Sequence, residues 1–146
     1  DIGCPFCGRH HPTMLDLVDK YGDDVAWVYR HFPLTSIHQN ATPAAVAAEC
    51  AADQGKFWEM TDELVLQQTN LSRATYEATA KKLGLKMGDF TTCLDSGKYE
   101  DKISAQQAGG AAAGVTGTPA TFVNGQLVSG AVPLAQFEAM IDSLLQ

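Results

Sequence analysis

Apolar residues recur with a helical period over most of the chain, and polar residues fill the positions between them. This period predicts amphipathic helices rather than strands. The longest such region predicts five helices. The first is Ala-rich, with Thr42 as its cap and Pro43 at its first position, and the other four span residues 56–68, 72–83, 86–94 and 99–113. The middle of the protein is therefore expected to be helical throughout.

Helices and strands flank this region. A helix is predicted from Cys4 to Tyr21, because Pro5 suits a first turn and Gly22 suits the position after a last turn. Pro12 inside it predicts a kink. The other predicted elements are a β-branched and aromatic strand over Val25–Phe32, a hairpin of Ala120–Val123 and Gln126–Ser129 around an Asn124-Gly125 turn, and an amphipathic helix that begins at Pro133.

Composition and charge narrow the classes of function. The 146 residues are 45% hydrophobic and 18% charged, which suits one globular domain with an apolar core. The net charge of −7 argues against nucleic acid and anionic membrane surfaces as partners, since both require a basic face. Residues 103–137 contain no charged side chain, which favours buried strands with Gly-rich turns and is compatible with a neutral docking surface.

Cys4 and Cys7 stand at the start of the first predicted helix. The thiolate is the reactive form of cysteine, and the free N–H groups and partial positive charge of a helix start stabilise an anion. We therefore expect Cys4 to be an exposed nucleophile with a lowered pKa. Cys7, one turn further in, is expected to be the buried thiol that resolves a mixed disulfide.

Other interpretations of the cysteine pair remain open. A structural disulfide across so short a loop is unusual. A zinc site is a stronger alternative, because the cysteines, together with His10 and His11, include the residue types that bind zinc. Helical spacing, however, sends the two histidines in different directions, and there is no second Cys-x-x-Cys pair. The histidines are more simply interpreted as residues of the helix surface or as electrostatic neighbours of Cys4.

A set of motifs along the chain carries a stronger signal than Cys-x-x-Cys alone. The set comprises Asp1-x-x-Cys4-Pro5-Phe6-Cys7 with His11-Pro12, His38 and Ala41, residues 48–58 (AECAADQGKFW), Phe90-x-x-Cys93-Leu94-Asp95-Ser96-Gly97, and Gly114-Val115-x-Gly117-Thr118-Pro119-x-Thr121-Phe122-Val123-Asn124-Gly125. In this order, and over nearly the whole chain, the motifs resemble those of a DsbA-like thiol–disulfide oxidoreductase of the thioredoxin superfamily.

The resemblance implies an α/β, thioredoxin-like fold with an inserted helical domain. Residues 1–33 and 114–146 would form the core, and residues 34–113 the insertion. The family's first strand would precede Asp1, where it commonly carries a buried acid. We expect that this chain is a piece of a longer one, rather than one completed by a strand from another molecule.

The resemblance also implies how a substrate binds. The peptide bond between Thr118 and Pro119 would be cis and would face the cysteines, and its backbone would pair with an extended substrate as an added strand. Pro5 and Phe6 would contribute to the same substrate site. A proline beside the sulfurs would leave no room for a metal.

A second pair of cysteines, Cys50 and Cys93, lies on the apolar faces of two predicted helices. They are either free, buried cysteines that act as small apolar residues or a structural disulfide. An oxidising compartment favours the disulfide.

The function implied by the resemblance is an extracytoplasmic, in bacteria periplasmic, oxidoreductase that introduces disulfides into exported proteins. It would need no cofactor, would act on unfolded or reduced proteins, and would be reoxidised by a redox partner, a membrane oxidase. One alternative is a disulfide isomerase or reductase with the same site. The other is a non-catalytic metal-binding protein that uses Cys4, Cys7 and His10 or His11.

Overall fold

A computed structural model describes all 146 residues, and its elements follow the predicted order except that one predicted strand is absent. They are α1 Pro5–Tyr21, α2 Ala41–Ala52, α3 Phe57–Leu66, α4 Arg73–Lys82, α5 Met87–Asp95, α6 Glu100–Ala112, β1 Ala120–Val123, β2 Gln126–Ser129 and α7 Leu134–Leu144. Short 3₁₀ turns follow α1 at Gly22–Asp24 and α3 at Gln68–Asn70. None of the helices has the length and apolar character that crossing a membrane requires.

The ends of the helices follow local chemistry in most places. Ser72 caps α4, because its side chain accepts a backbone N–H of the first turn. For α2 the sequence predicts Thr42 as the cap, and this is wrong: the helix begins at Ala41, and Asn40 precedes it. The Asn40 side chain makes no cap bond and instead donates to the carbonyl of Leu71 at 2.8 Å. A contact between distant segments therefore sets this helix start.

Two separate apolar clusters hold the protein together. The larger one lies among α2 to α5, and its most deeply buried large side chains include Met60, Leu64 and Phe90. The smaller one joins α1, the hairpin and α7, through Met14, Leu17, Val128, Phe137 and Ile141. Burial of these side chains is the main stabilising contribution to each cluster. The start of α1 thus lies where the two packed regions meet.

The hairpin forms as the sequence predicts. β1 pairs with β2 in an antiparallel register that places Val123 opposite Gln126. The two residues between them, Asn124 and Gly125, have φ values of 45° and 87°. Both are in the left-handed region that the tight two-residue turn of a hairpin requires and that Asn and Gly tolerate best.

The predicted strand Val25–Phe32 is not present as a strand. Residues 25–34 belong to no helix or strand, and the sheet consists of β1 and β2 alone. A strand requires a hydrogen-bonded neighbour, and a cleft of about 520 Å³ lies between this segment, β1, α1 and α7. Aromatic packing holds the segment in place instead, with the ring centroids of Trp27 and Trp58 4.7 Å apart.

A partly buried polar cluster also anchors this segment to the helices. His31 Nε2 lies 3.1 Å from Glu49 Oε1, and Lys102 Nζ lies 2.6 Å from the other oxygen of the same carboxylate. Burial opposes ionisation of Glu49, but hydrogen bonds from His31 and Lys102 outweigh this effect and lower its pKa. The backbone N–H of His31 donates to the side chain of Gln106 in α6. These polar contacts fix the segment against α2 and α6.

Candidate active site

The two candidate catalytic cysteines lie at the start of α1. Cys4 is the N-cap, with φ −83° and ψ 122°, and Pro5 is the first helical residue. The backbone N–H of Cys4 donates to the Asp1 carbonyl at 3.2 Å, and the Cys4 carbonyl accepts from the N–H of Gly8 at 3.1 Å. Both thiols, of Cys4 and Cys7, are free. The Cys4 sulfur therefore stands, reduced, at the positive end of the helix dipole.

A loop from the far end of the sequence covers this sulfur. The peptide bond between Thr118 and Pro119 is cis. The Cys4 thiol donates to the Thr118 carbonyl at 3.5 Å, across a sequence separation of 114 residues. The Thr118 hydroxyl is buried and has no hydrogen-bond partner. A hydroxyl donates readily to an anion, so this group is available to a thiolate at Cys4.

The surroundings shift the pKa values of the Cys4 and Cys7 thiols in opposite directions. Burial alone would raise the pKa of Cys4, but the nearby Thr118 hydroxyl and the backbone N–H groups of Cys7 and Phe6 favour the thiolate and outweigh burial, so the pKa is lowered. Burial raises the pKa of Cys7, and a negative charge on Cys4 acts in the same direction. Cys4 therefore loses its proton at a lower pH than Cys7 and is the more nucleophilic sulfur near neutral pH.

The predicted order of exposure, with Cys4 exposed and Cys7 buried, is wrong. Cys4 is only 3% exposed, because the Thr118 loop lies over it, whereas Cys7 is half-buried and borders the cleft. The position of the sulfurs in α1 cannot reveal this difference, since the covering loop comes from a distant part of the chain. The Thr118 carbonyl therefore lies against the Cys4 sulfur.

The two residues between the cysteines face solvent. Pro5 is exposed, and Phe6 is 54% exposed. The guanidinium carbon of Arg9 lies 4.4 Å from the centroid of the Phe6 ring, a cation–π arrangement that holds the ring beside the sulfurs. An apolar surface next to Cys4 is thus free to contact a partner.

Gln68 is a site residue that the sequence does not reveal. Its side-chain nitrogen donates to the carbonyls of Ile2 and Cys4, both at 2.7 Å. Its side-chain oxygen lies against Gly8, where a Cβ atom would collide with it. Gln68 therefore ties the 3₁₀ turn after α3 to both sides of the Cys4 turn. Only the folded structure shows this, because 64 residues separate Gln68 from Cys4.

A buried carboxylate supports the same turn from its other side. The Asp1 side chain is fully buried and accepts hydrogen bonds from the N–H groups of Gly3 and Leu34 and from His38 Nδ1, at 2.8, 2.9 and 2.7 Å. These bonds satisfy a charge that would otherwise be costly to bury. Asp1 and Gln68 together fix the backbone from which the Cys4 side chain projects.

The two histidines of α1 contact different elements. His10 Nε2 lies 3.0 Å from Thr121 Oγ1 in β1, and His11 Nε2 lies 2.6 Å from Asp62 Oδ1 in α3. Each histidine is only 7% exposed, so the interpretation of both as helix-surface residues is wrong. The reason is that α1 is packed on two sides. No group of three His, Cys, Asp or Glu side chains is arranged to hold a metal ion.

Cys50 and Cys93 form a disulfide in the structure. The bond joins α2 to α5, with the two Cα atoms 5.8 Å apart. Of the alternatives left open by the sequence, the structure therefore contains the disulfide rather than two free thiols. The bond lies within the larger apolar cluster.

Comparison with known proteins agrees with this architecture. The family described as Thioredoxin matches residues 1–143. Among curated proteins, a Na⁺/H⁺ antiporter NhaA 1 from Salinispora arenicola is 36% identical over 143 residues, which are 98% of this chain and 22% of that protein. An NhaA 1 antiporter from Mycolicibacterium gilvum is 38% identical over 128 residues, 86% of this chain and 21% of that protein. The chain thus spans about a fifth of the length of these relatives.

Solved structures with the same fold are also similar. A thioredoxin-like oxidoreductase from Silicibacter pomeroyi superposes with a TM-score of 0.84 at 26% identity, covering 99% of this chain and 82% of that one. The thiol-disulfide exchange protein α-DsbA2 from Wolbachia pipientis superposes with a TM-score of 0.87 at 20% identity, covering 99% and 77%. The second likeness concerns the fold alone.

Proposed function

The chain belongs to the thioredoxin family, and from that membership we propose that it is a thiol–disulfide oxidoreductase whose Cys4–Cys7 pair oxidises thiols of other proteins. The thioredoxin-like fold expected from the sequence is confirmed, and the oxidoreductase activity named for the similar Silicibacter pomeroyi protein supports the proposed class of enzyme. The observation that supports the proposed site most directly is the Cys4 thiol at the N-terminus of α1, 3.5 Å from the Thr118 carbonyl.

The proposed reaction uses the two sulfurs in order. In the oxidised protein a substrate thiolate attacks the Cys4 sulfur, the Cys4–Cys7 bond breaks, and Cys7 leaves with the electron pair. A second substrate thiolate then attacks the substrate sulfur of the mixed disulfide and releases Cys4 as a thiolate. The substrate loses two electrons and the pair gains them. The lowered pKa of Cys4 favours this direction, because it stabilises the leaving thiolate.

We propose that the backbone of Thr118, together with exposed Pro5 and Phe6, binds the substrate. The Thr118 loop covers the Cys4 sulfur, so a peptide that reaches the sulfur must lie along this loop. An extended peptide can pair with the backbone beside β1 as an added strand. Residues 34–113 would act as the inserted helical domain beside this groove, with residues 1–33 and 114–146 as the core. The two separate apolar clusters support that division.

We further propose that the protein works outside the cytoplasm, on reduced exported proteins, and that a membrane oxidase regenerates its disulfide. The structural disulfide Cys50–Cys93 supports an oxidising compartment. The net charge of −7 does not suit a nucleic acid partner. The proposed function does not include the antiport activity of the relatives, because the chain spans only about a fifth of their length.

Trapping of a substrate tests this proposal. The Cys7→Ser variant, treated with a reduced and unfolded model protein under oxidising conditions, should accumulate a mixed disulfide through Cys4. The matched Cys4→Ser variant should accumulate none. Wild-type protein should oxidise reduced ribonuclease faster than it reshuffles scrambled ribonuclease, whereas an isomerase would show the reverse. Mixed disulfides found only at Cys7 would contradict the assigned roles.

A further inference from the structure

One residue of the sequence motifs, His38, has no part in the proposed reaction. It lies in the loop that leads into α2, and its side chain is 18% exposed. Its Nδ1 atom lies 2.7 Å from Oδ2 of Asp1, whose side chain is fully buried. A carboxylate is costly to bury unless hydrogen-bond donors satisfy it, so the imidazole helps to keep the Asp1 side chain in place.

The turn that contains His38 presents two donors to one carboxylate oxygen. The backbone N–H of Leu34 donates to the same Oδ2 atom of Asp1 at 2.9 Å. The His38 N–H donates to the Leu34 carbonyl at 2.8 Å, which closes the turn. The His38 carbonyl accepts the N–H of Ala41, the first residue of α2, at 3.0 Å. The imidazole is therefore attached to a hydrogen-bonded turn at the start of α2.

The other oxygen of Asp1 connects this support to the Cys4 turn. Oδ1 accepts the N–H of Gly3 at 2.8 Å, and the Asp1 carbonyl accepts the N–H of Cys4 at 3.2 Å. An added Cβ atom at Gly3 would lie only 3.2 Å from Cβ of His38 and 3.3 Å from Oδ1 of Asp1. His38 is thus both packed against the Cys4 turn and joined to it through the carboxylate.

The position of this turn affects the charge on Cys4. The backbone N–H groups of Cys7 and Phe6 favour the Cys4 thiolate and help to lower its pKa. These N–H groups belong to the first turn of α1, whereas the sulfur is placed by the backbone of Cys4, the N-cap residue. Hydrogen bonds weaken steeply as their distance and angle depart from the best values. A less firmly held Cys4 backbone would therefore weaken the hydrogen bonds that stabilise the thiolate.

We propose that His38 is a positioning residue of the cysteine site, an inference that rests on the proposed function of the Cys4–Cys7 pair. Its imidazole donates to Asp1, and Asp1 accepts the N–H groups of Gly3 and Cys4, so the Cys4 sulfur stays beside the backbone donors that stabilise its anion. His38 transfers neither a proton nor an electron in this role. The turn at the start of α2 thus adjusts the reactivity of the cysteine at the start of α1.

Titration of the Cys4 thiol measures the proposed effect. Thiolate absorbance at 240 nm, followed as the pH is raised, reports the pKa of Cys4 separately from that of Cys7, because the two are shifted in opposite directions. In His38→Ala the Asp1 carboxylate loses one donor, and the pKa of Cys4 should rise. The expected size is about a tenfold smaller thiolate fraction below this pKa, which corresponds to a rise of about one pH unit. In His38→Asn the side-chain amide offers an N–H near the position of Nδ1 and should restore most of the wild-type value.

The redox equilibrium with glutathione gives a second readout, which a merely structural role of His38 would not change. A less stable Cys4 thiolate disfavours the reduced form of the pair. The equilibrium in His38→Ala should therefore shift toward the Cys4–Cys7 disulfide, by up to about tenfold near neutral pH. His38→Asn should again lie close to the wild type.

Asn40→Ala is the matched control. Asn40 follows His38 in the same loop and donates to the backbone carbonyl of Leu71. It is not one of the donors to the Asp1 carboxylate. This variant should lower the urea midpoint but leave the Cys4 pKa and the glutathione equilibrium unchanged. An unchanged Cys4 pKa in His38→Ala, or an equal rise in the two alanine variants, would overturn the inference. A wild-type protein that forms no mixed disulfide at Cys4 would instead overturn the proposed function, since the thiolate titration needs no substrate.

The wild-type protein alone offers a test that needs no variant to fold. Long-range ¹H–¹⁵N NMR spectra show which ring nitrogens of His38 are protonated. The inference requires a proton on Nδ1, because an ionised Asp1 carboxylate can only accept a hydrogen bond. An Nδ1 atom without a proton would make His38 an acceptor rather than a donor and would overturn the proposal.

Discussion

Removing the Cys50–Cys93 disulfide should destabilise the protein without affecting the cysteine pair at α1. The double variant Cys50→Ala/Cys93→Ala replaces both sulfurs and leaves the helices they join intact in sequence. The disulfide joins α2 to α5 within the larger apolar cluster, whereas Cys4 and Cys7 lie at the start of α1. Its loss should therefore change the free energy of unfolding, whereas the rate of thiol exchange in the folded protein should stay the same.

The size of the effect follows from the loop that the bond closes. The two cysteines are 43 residues apart in sequence. In the chain-entropy description, opening a loop of this length returns about 13 cal/mol/K to the unfolded chain, or about 4 kcal/mol at 25 °C. Cys50 is only 1% exposed, so the small void left by alanine adds up to about 1 kcal/mol. For a chain of this size, a 4 kcal/mol loss lowers Tm by about 12 °C.

Urea unfolding followed by circular dichroism, without reductant, measures this change. The slope m should rise in the double variant, because an unfolded chain without the bond is more expanded and exposes more surface. Cys4→Ala/Cys7→Ala is the matched control, since it removes the other cysteine pair and keeps the structural disulfide. A loss below about 1 kcal/mol with an unchanged m would show that the loop does not constrain the unfolded state as this reasoning requires.

Three further outcomes can be measured. Limiting iodoacetamide at pH 6 should label Cys4 in preference to Cys7, because the pKa of Cys4 is lowered and that of Cys7 is raised; preferential labelling of Cys7 would contradict the assignment. Gln68→Ala removes the side-chain donor to the carbonyls of Ile2 and Cys4, of which the Cys4 carbonyl keeps the Gly8 N–H, so it should destabilise the protein by about 1–3 kcal/mol and raise the pKa of Cys4, seen as thiolate absorbance at 240 nm. The pKa of Glu49 is lower in the folded state, so its stabilising contribution is present above the unfolded pKa and is lost as pH falls through the folded one; urea midpoints between pH 7 and pH 3 should fall less in Glu49→Gln than in the wild type.

Local sequence signals were sufficient to predict the hairpin and most helices, because turn residues, caps and apolar periods act within a few residues. The segment Val25–Phe32 has strand-forming side chains, but pairing depends on a neighbour that no local pattern describes. The prediction that Cys4 is exposed was wrong for the same reason, since the Thr118 loop reaches it from a distant part of the sequence. The role of Gln68 and the burial of His10 could not be predicted from the sequence either, because each depends on contacts between elements that are separated along the chain.

The close approach of Gly8 and Gln68 has a consequence for redesign of the redox motif. Pro5 and Phe6 are exposed, so a library that varies them meets no steric constraint from the rest of the fold. Position 8 is different, because any side chain there collides with the Gln68 oxygen. A larger residue at position 8 should therefore displace the flexible end of the Gln68 side chain, which costs little in packing but withdraws the amide that holds the Cys4 carbonyl. Selection for larger residues after Cys7 would thus act on the thiol chemistry indirectly, through a residue in another helix-connecting turn.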